Sequence, residues 1–158
     1  MTPSPDIYGM AGHLIRRLHQ ISTSVFQTRM KAQGVDLTSV QFAALNAIKA
    51  NPGIDQAGVA GLIAYDRATI GGVIDRLEAK KLVSRVISPR DRRARAVSLT
   101  PAGAALLERL APVVAEMQGD ILAGLSAPEA REFLRLAGKM TAQGNHLSRA
   151  PLRPKDPE

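Results

Sequence analysis

The sequence predicts a mainly α-helical fold with a small β-wing: a winged helix-turn-helix core flanked by N- and C-terminal dimerisation helices. Three observations lead to this fold class. Apolar residues recur at three- and four-residue spacing over most of the chain, which is the period of an amphipathic helix. Two segments near the middle, 82–88 and 95–99, instead alternate between apolar and polar residues, as half-buried strands do. A tip rich in arginine joins these two segments.

The first predicted element is a long helix from Ile7 to Lys31. Leu14, Leu18 and Ile21 recur along it at helical spacing, with polar residues between them. Gly34 follows as a stop signal, because glycine readily adopts the left-handed conformation that ends many helices.

A second helix and a pair of short helices come next. Thr38 and Gln41 have the spacing of a capping box at the start of the second helix. Asp55 caps a short third helix over 56–64, and a fourth helix is predicted over 66–81 with its own aspartate as cap. Two short helices joined by a tight break, the second with a basic exposed face, match a helix-turn-helix.

Two adjacent glycines lie inside the fourth helix. Gly71 and Gly72 each lower helix stability relative to alanine. Either helix packing that wants small residues, or close approach to a DNA backbone or to the first helix of the pair, accounts for the two glycines, and the sequence slightly favours packing.

The strands 82–88 and 95–99 form the predicted hairpin, or wing. Thr100 then caps a helix over 101–123, with Pro101 at the first helical position, where a missing N–H costs nothing. This order of helix, hairpin and helix completes a winged core in the middle of the chain.

A last helix begins at Ser126, with Glu129 as its capping partner, and ends near His146. The terminal helices carry more apolar surface than one small winged core can cover, which predicts an isologous homodimer. The predicted division is an N-terminal dimerisation helix (1–33), the DNA-binding core (34–100), C-terminal dimerisation helices (101–147) and a disordered, proline-rich tail (148–158).

Composition excludes several function classes. The 158 residues contain no cysteine, which excludes disulfides, thiolate zinc sites and cysteine-based redox sensing. Aromatic residues make up 3% of the chain, too few for a platform that stacks single-stranded bases. No apolar run is long enough to span a bilayer and the first residues lack a signal-peptide pattern, so a cytoplasmic protein is predicted.

Catalytic and cofactor signals are missing from the sequence. Three scattered histidines without cysteine support no metal site. There is no glycine-rich phosphate loop and no nucleophile elbow, so we expect neither an enzyme nor a bound cofactor.

The net charge of +7 is concentrated in one segment. Residues 66–95 carry +5 of it, whereas residues 96–158 are neutral. A local excess of this kind is typical of a nucleic-acid footprint. The arginine-rich hairpin suits the minor groove of DNA, whose negative potential attracts arginine, although a merely solvated hairpin is the alternative.

From Thr38 to Gly103 the residues resemble the multiple antibiotic resistance regulator (MarR) family of bacterial transcription factors, especially members linked to aromatic-compound catabolism. The strongest similarity lies in DRATIGGVIDRLEAKKLVSRVISPRDRRARAVSLTPAG, residues 66–103. It contains a helix ending in DRLE, a strand entry with Lys81 where the family usually has glycine, and D-x-R followed by LT-x-x-G. The resemblance implies a homodimer on a pseudo-palindromic operator, with recognition helices in major grooves and wings in minor grooves.

The resemblance and the charge pattern select the candidate DNA-binding residues. Arg93 matches the wing arginine that enters the minor groove, and Asp91 matches the acidic residue that steadies it, a simple turn residue being the alternative. Arg76 either reaches a phosphate or pairs with Asp75 or Glu78. First-turn residues of the recognition helix are candidates for base-edge contacts, and the other wing arginines for phosphate contacts. The predicted set is Arg67, Thr69, Arg76, Arg90, Asp91, Arg92, Arg93 and Arg95.

The first helix carries the candidate effector site. Members of the family often sense small aromatic acids in a cleft between the dimer helices and the winged core. The run GHLIRRLHQIS places cationic and titratable groups within two turns, beside an apolar stripe. His13, Arg16 and His19 are the predicted ligand residues, for an aromatic acid or its coenzyme A thioester. A solvated cationic face, or pairing with the partner subunit, is the alternative.

The predicted function is therefore a ligand-responsive transcriptional regulator, a repressor released from double-stranded operator DNA by an aromatic acid or aromatic acyl-CoA effector. The alternative is a non-specific architectural DNA-binding protein, which the basic excess alone also predicts.

Overall fold

The computed structural model describes residues 6–154, and within that range the fold contains six α-helices and a small antiparallel sheet. The helices are α1 (Ala11–Ala32), α2 (Ser39–Ala50), α3 (Gln56–Leu62), α4 (Ile70–Ala79), α5 (Pro101–Ile121) and α6 (Ala127–Gln143). The strands are β1 (Ile54–Asp55), β2 (Val83–Ile87) and β3 (Arg95–Leu99). Short 3₁₀ turns lie at Ile7–Gly9 and Asn145–Leu147. A mainly α-helical fold with a winged hairpin is confirmed.

The predicted caps of α2, α3 and α6 are present. Thr38 and Gln41 exchange side chain–backbone hydrogen bonds of 3.1 and 3.2 Å at the start of α2. Asp55 accepts from the third backbone N–H of α3 at 2.6 Å. Ser126 and Glu129 form the second capping box, at α6. Each cap satisfies an N–H group that the helix itself leaves without a partner.

The core lies where α2, α3 and α4 meet the sheet and α5. Leu45, Ile48, Ile74, Leu77 and Leu110 are completely buried there. The apolar faces of these elements are removed from water only by packing against one another. Their burial therefore supplies most of the favourable free energy of folding. The winged core therefore has a single continuous hydrophobic centre.

The sheet has the strand order β1-β3-β2, with both pairings antiparallel. The wing register pairs Val83 with Leu99 and Ile87 with Arg95. Strand β1 was not predicted. It contains two residues, too few to show alternation, and pairs Ile54 with Val97 at the base of the wing.

Two predicted helix starts are wrong by several residues. α1 begins at Ala11, because a separate 3₁₀ turn precedes it. α4 begins at Ile70, four residues beyond the predicted cap, Asp66. The Asp66 carboxylate accepts from the backbone N–H of Ala68 at 2.8 Å, two residues along. Such a local Asx turn competes with helix formation, so 66–69 form a turn before the helix.

The prediction of a disordered tail is wrong for residues 148–154, whereas 155–158 lie outside the described residues. The Asn145 side chain accepts from the backbone N–H of Leu152 at 2.8 Å and donates to its carbonyl at 2.9 Å. The N–H of Arg153 donates to the carbonyl of Gly61 in α3 at 2.7 Å. These bonds fold the chain end back onto the helix-turn-helix.

Large apolar side chains remain exposed on both terminal helices. On α6, Leu134 is 57% and Met140 58% exposed, and that helix buries no residue. On α1, Leu14, Ile15 and Leu18 are also exposed. Residues 6–154 of a single copy therefore leave two apolar helix faces exposed, as the sequence predicts.

The turn that ends α4 is a Schellman motif with a lysine at its left-handed position. The N–H of Lys81 donates to the carbonyl of Glu78, and that of Leu82 to the carbonyl of Leu77. Lys81 has φ +59°. This left-handed conformation is strained for any residue that has a Cβ, whereas glycine adopts it without strain. This geometry accounts for the glycine that the family usually has here.

The same turn holds the start of α5. The Thr100 hydroxyl donates to the carbonyl of Lys81 at 2.7 Å, and the Thr100 N–H donates to that of Leu82 at 3.1 Å. A Cβ at Gly103 would lie only 2.1 Å from the Leu82 oxygen. The LT-x-x-G pattern is thus explained by a close backbone contact between the end of the recognition helix and the start of α5.

We predict that Lys81→Gly stabilises the protein. Removing the left-handed strain should raise the free energy of unfolding by about 1 kcal/mol, and Tm by about 2–4 °C, in thermal and urea unfolding. Gly34, at φ +66° in the same motif after α1, is the matched control. Gly34→Ala should lower the free energy of unfolding by a similar amount. An unchanged or lower Tm for Lys81→Gly would contradict the assignment of strain.

Candidate nucleic-acid interface

Helix α4 is fixed by one face and exposed on the other. Ile70, Val73, Ile74 and Leu77 are buried against the core. Arg76 points away from them and is exposed. A helix held in this way presents its polar face as a rigid surface, as a recognition helix must.

The two predicted base-edge residues lie in the turn before α4 and not in its first turn. Arg67 and Thr69 are both exposed there. The Thr69 hydroxyl donates to the carbonyl of Asp66 at 3.2 Å, which ties it to the turn. The turn places both residues at the N-terminal end of α4, the end that enters a major groove in helix-turn-helix proteins.

Packing does not require the glycine pair of α4, contrary to the interpretation that the sequence slightly favours. A Cβ at Gly72 would approach only the guanidinium of Arg76, at 4.0 Å. One at Gly71 would lie 3.6 Å from the side-chain amide of Gln56. Both distances are ordinary van der Waals contacts. Gly72 is exposed, whereas Gly71 is half-buried beside Gln56 of α3.

One guanidinium connects the wing to both helices of the helix-turn-helix. Arg85 on β2 donates to Asp75 at 2.7 Å and to Glu78 at 3.0 and 3.3 Å, both on α4. It also donates to the Gln56 side chain of α3 at 2.9 Å. Its side chain is 19% exposed, so water screens these charge-assisted bonds less than it would at an open surface.

The Arg85 network changes the interpretation of its neighbours. The hydrogen bonds from Arg85 hold the pKa of Glu78 below its usual range. Asp75 and Glu78 are thus partners of Arg85, and the alternative in which they pair with Arg76 is wrong. Sequence reasoning missed Arg85 because a single arginine on a strand gives no local signal. The one available signal was the pair of acidic residues three positions apart on α4, Asp75 and Glu78, which indicates a need for a nearby cation.

The wing tip presents arginines on a short, closed turn. The Ser88 N–H donates to the carbonyl of Ala94 at 2.9 Å, which continues the hairpin beyond β2 and β3. Asp91 accepts from the backbone N–H of Arg93 at 2.9 Å and therefore acts as a turn residue. In the part of the chain that the structure describes, its carboxylate makes no ion pair with the Arg93 guanidinium. Four exposed arginines surround this turn: Arg90, Arg92, Arg93 and Arg95.

The predicted effector residues are only partly brought together. The Arg16 guanidinium lies 3.3 Å from Nδ1 of His13, and the Tyr8 ring meets the His13 ring edge-on at 5.5 Å between centroids. His19 is exposed and is not part of this cluster. The cluster lies beside the exposed apolar residues of α1, at the end of the helix that projects from the core.

Residues 6–154 contain neither a metal-site cluster nor a membrane-spanning helix. No group of three or more histidine or acidic side chains could hold a metal ion there. Within the same residues, no helix is both long enough and apolar enough to cross a membrane.

We predict that Arg85→Leu lowers the free energy of unfolding by about 1–3 kcal/mol, because it leaves the carboxylates of Asp75 and Glu78 close together without their cation. Urea unfolding measures the loss, and amide hydrogen exchange should rise in β2 first. Arg76→Leu is the matched control, since exposed Arg76 has no ion pair among the described residues, and it should change stability by less than about 0.5 kcal/mol. Equal effects of the two substitutions would exclude a structural role for Arg85.

Comparison with known proteins agrees with this architecture. The MarR family profile matches residues 35–94, from the end of α1 to the wing. The chain is 37% identical over 135 residues to the HTH-type transcriptional repressor NicR of Pseudomonas putida, covering 85% of this chain and 84% of NicR.

Two solved structures match nearly the whole described fold. BpsR of Bordetella bronchiseptica, whose DNA binding is regulated by 6-hydroxynicotinic acid, has a TM-score of 0.79 and 33% identity, covering 87% of this chain and 97% of BpsR. The transcriptional regulator PcaV of Streptomyces coelicolor, solved with its natural ligand, has a TM-score of 0.79 and 34% identity, covering 89% of this chain and 98% of PcaV. These relatives are regulators and not enzymes. The chain belongs to the MarR family of transcriptional regulators.

Proposed function

We propose that this protein is a homodimeric repressor that leaves a pseudo-palindromic operator when it binds an aromatic acid or its coenzyme A thioester. The observation that carries the proposal is the rigid connection, through Arg85, between the exposed face of α4 and an arginine-rich wing. A regulator that reads a major and an adjacent minor groove needs these two surfaces at a constant spacing.

The exposed face of α4 carries side chains suited to the major groove, and the wing carries arginines suited to the minor groove. Arg67 and Thr69 contact base edges from the N-terminal end of α4, and Arg93 enters the minor groove. Arg76, Arg90, Arg92 and Arg95 contact phosphates, which position the protein without specifying sequence. Asp91 shapes the wing turn through its bond to the Arg93 N–H. The exposed Gly72 of α4 permits close approach of the DNA backbone.

The dimer forms through the terminal helices. Their exposed apolar side chains, including Leu14 and Leu18 on α1 and Leu134 and Met140 on α6, are of a kind that soluble monomers rarely expose together. A two-fold axis that buries these faces also places two copies of α4 and the wing side by side, as a pseudo-palindromic operator requires.

The effector binds beside the exposed half of α1. A guanidinium is a good partner for a carboxylate, so Arg16 holds the acid group of the effector, with His13 next to it and His19 one turn further. A second copy of the chain closes the site over the neighbouring apolar residues. Because BpsR responds to 6-hydroxynicotinic acid, a ring carboxylic acid, we favour the free acid over the thioester.

Arg93→Ala should weaken operator binding by roughly 1–3 kcal/mol, because the wing loses its minor-groove contact. Fluorescence anisotropy on DNA from the gene's own upstream region, against scrambled DNA at fixed salt, measures the change. Arg131→Ala removes the same charge from the face of α6 opposite Met140 and is the control. Wild-type affinity in Arg93→Ala would contradict the wing assignment. Equal affinity of the wild-type protein for both DNAs would indicate an architectural protein instead.

Arg16→Ala should leave operator binding without effector unchanged but raise the effector concentration for half-release about 10- to 100-fold, since a charged hydrogen bond is lost. The same anisotropy assay measures the concentration for half-release with 6-hydroxynicotinic acid, benzoate, hydroxycinnamates and their coenzyme A thioesters. Arg17→Ala is the matched control, because Arg17 donates to Gln20 on the same helix at 3.0 Å. Release of Arg16→Ala at wild-type concentrations would exclude this site.

A further inference from the structure

The chain end from Ser148 to Pro154 forms a strap across α3. Its backbone is held by the Arg153 N–H bond to the Gly61 carbonyl and by the two bonds that Asn145 makes with Leu152. A Cβ at Gly61 would lie 3.2 Å from that of Arg153, so a glycine here allows the close approach. The strap is therefore a built part of the fold, outside the matched family region of 35–94.

The strap forms one wall of a cleft of about 990 Å³. The other walls are α3 with the turn that follows it, and the base of the wing. Four arginines line this cleft from three different parts of the chain: Arg67, Arg90, Arg149 and Arg153. A cleft lined by one sign of charge concentrates the opposite sign, so this one favours an anion.

The two carboxylates in the cleft offset only half of this charge, which leaves a net charge of +2. Asp55 is engaged by the N–H of Gly58 at 2.6 Å, and Asp66 by the N–H of Ala68 at 2.8 Å. Arg149 lies 3.5 Å from Asp66, but its side chain is 90% exposed and can turn towards another partner. The cleft thus has four cations against two carboxylates that already accept backbone hydrogen bonds.

The position of the cleft suggests which anion it binds. Arg67 stands at the N-terminal end of the recognition helix, and Arg90 at the start of the wing tip. A duplex that contacts both surfaces must carry a phosphate strand across the space between them, because a major groove and its neighbouring minor groove are separated by one backbone. The strap borders this space, with two arginines on it.

We propose that the cleft is a binding site for the phosphate backbone of duplex DNA, in which Arg149 and Arg153 make two phosphate contacts from outside the winged core. The inference rests on the proposed operator binding and extends it. The two arginines add affinity without sequence preference, because phosphates carry no base identity. They also increase the salt dependence of binding, since each neutralised phosphate releases condensed counterions.

The test compares wild type, the double variant Arg149→Ala/Arg153→Ala and the double variant Arg149→Lys/Arg153→Lys, titrated with operator and scrambled DNA at several salt concentrations. The alanine variant should bind both DNAs at least tenfold more weakly at physiological salt, with a log–log salt slope smaller by about 3.6, because the dimer loses four contacts of about 0.9 each. The ratio of operator to scrambled affinity should stay constant. The lysine variant should keep most of the slope.

Arg131→Ala serves as the charge control on α6 and should leave the salt slope unchanged. Thermal unfolding of the alanine variant should match wild type, because the strap is held by backbone and Asn145 bonds that remain. An unchanged slope in the alanine variant would overturn the inference, and so would tighter binding, which would mean that the strap competes with DNA. Failure of the wild-type protein to prefer operator DNA would instead defeat the proposed function.

Discussion

The DNA-facing architecture depends on one guanidinium, that of Arg85. A two-stranded hairpin has little stability of its own, and along the backbone the wing joins α4 through the tight turn at Lys81. Arg85 adds a second connection, from the middle of β2 to Asp75 and Glu78 on α4 and to Gln56 on α3. Three consecutive elements, α3, α4 and β2, thereby share one charge-assisted network, which sets the spacing between helix and wing.

A second connection joins this core to the terminal helices. The carbonyls of Lys81 and Leu82 accept from Thr100, and Gly103 lies against the same backbone. The first turn of α5 is thus bonded directly to the end of the recognition helix. Because α5 continues as a rigid rod for 21 residues, a rotation at its far end must move this contact or bend the helix. Proline at position 112 is the one internal point in α5 that lacks an N–H donor.

Features that depend on neighbours within four residues could be predicted from the sequence. The caps at Thr38 and Ser126 are of this kind, because donor and acceptor are fixed by helix geometry alone. Contacts between residues that are distant in sequence could not be predicted in this way. The hydrogen bond from Arg85 to Gln56 spans 29 positions, and the hydrogen bond from Arg153 to Gly61 spans a longer stretch of sequence. The effector site shows the same limit. His13 and Arg16 are three positions apart and share a helix face. His19 is six positions from His13 and lies about 240° around the helix from it.

The first helix has two halves with different partners. Towards its C-terminal end Phe26 and Met30 are buried, and Arg29 donates to Asp120 on α5 at 2.8 and 2.5 Å. Towards its N-terminal end it carries His13, Arg16 and an exposed apolar face. The helix is continuous over 22 residues, and its buried half packs against α5. The contact at Gly103 in turn joins α5 to the end of the recognition helix, so a chain of direct contacts connects the exposed half of α1 to α4.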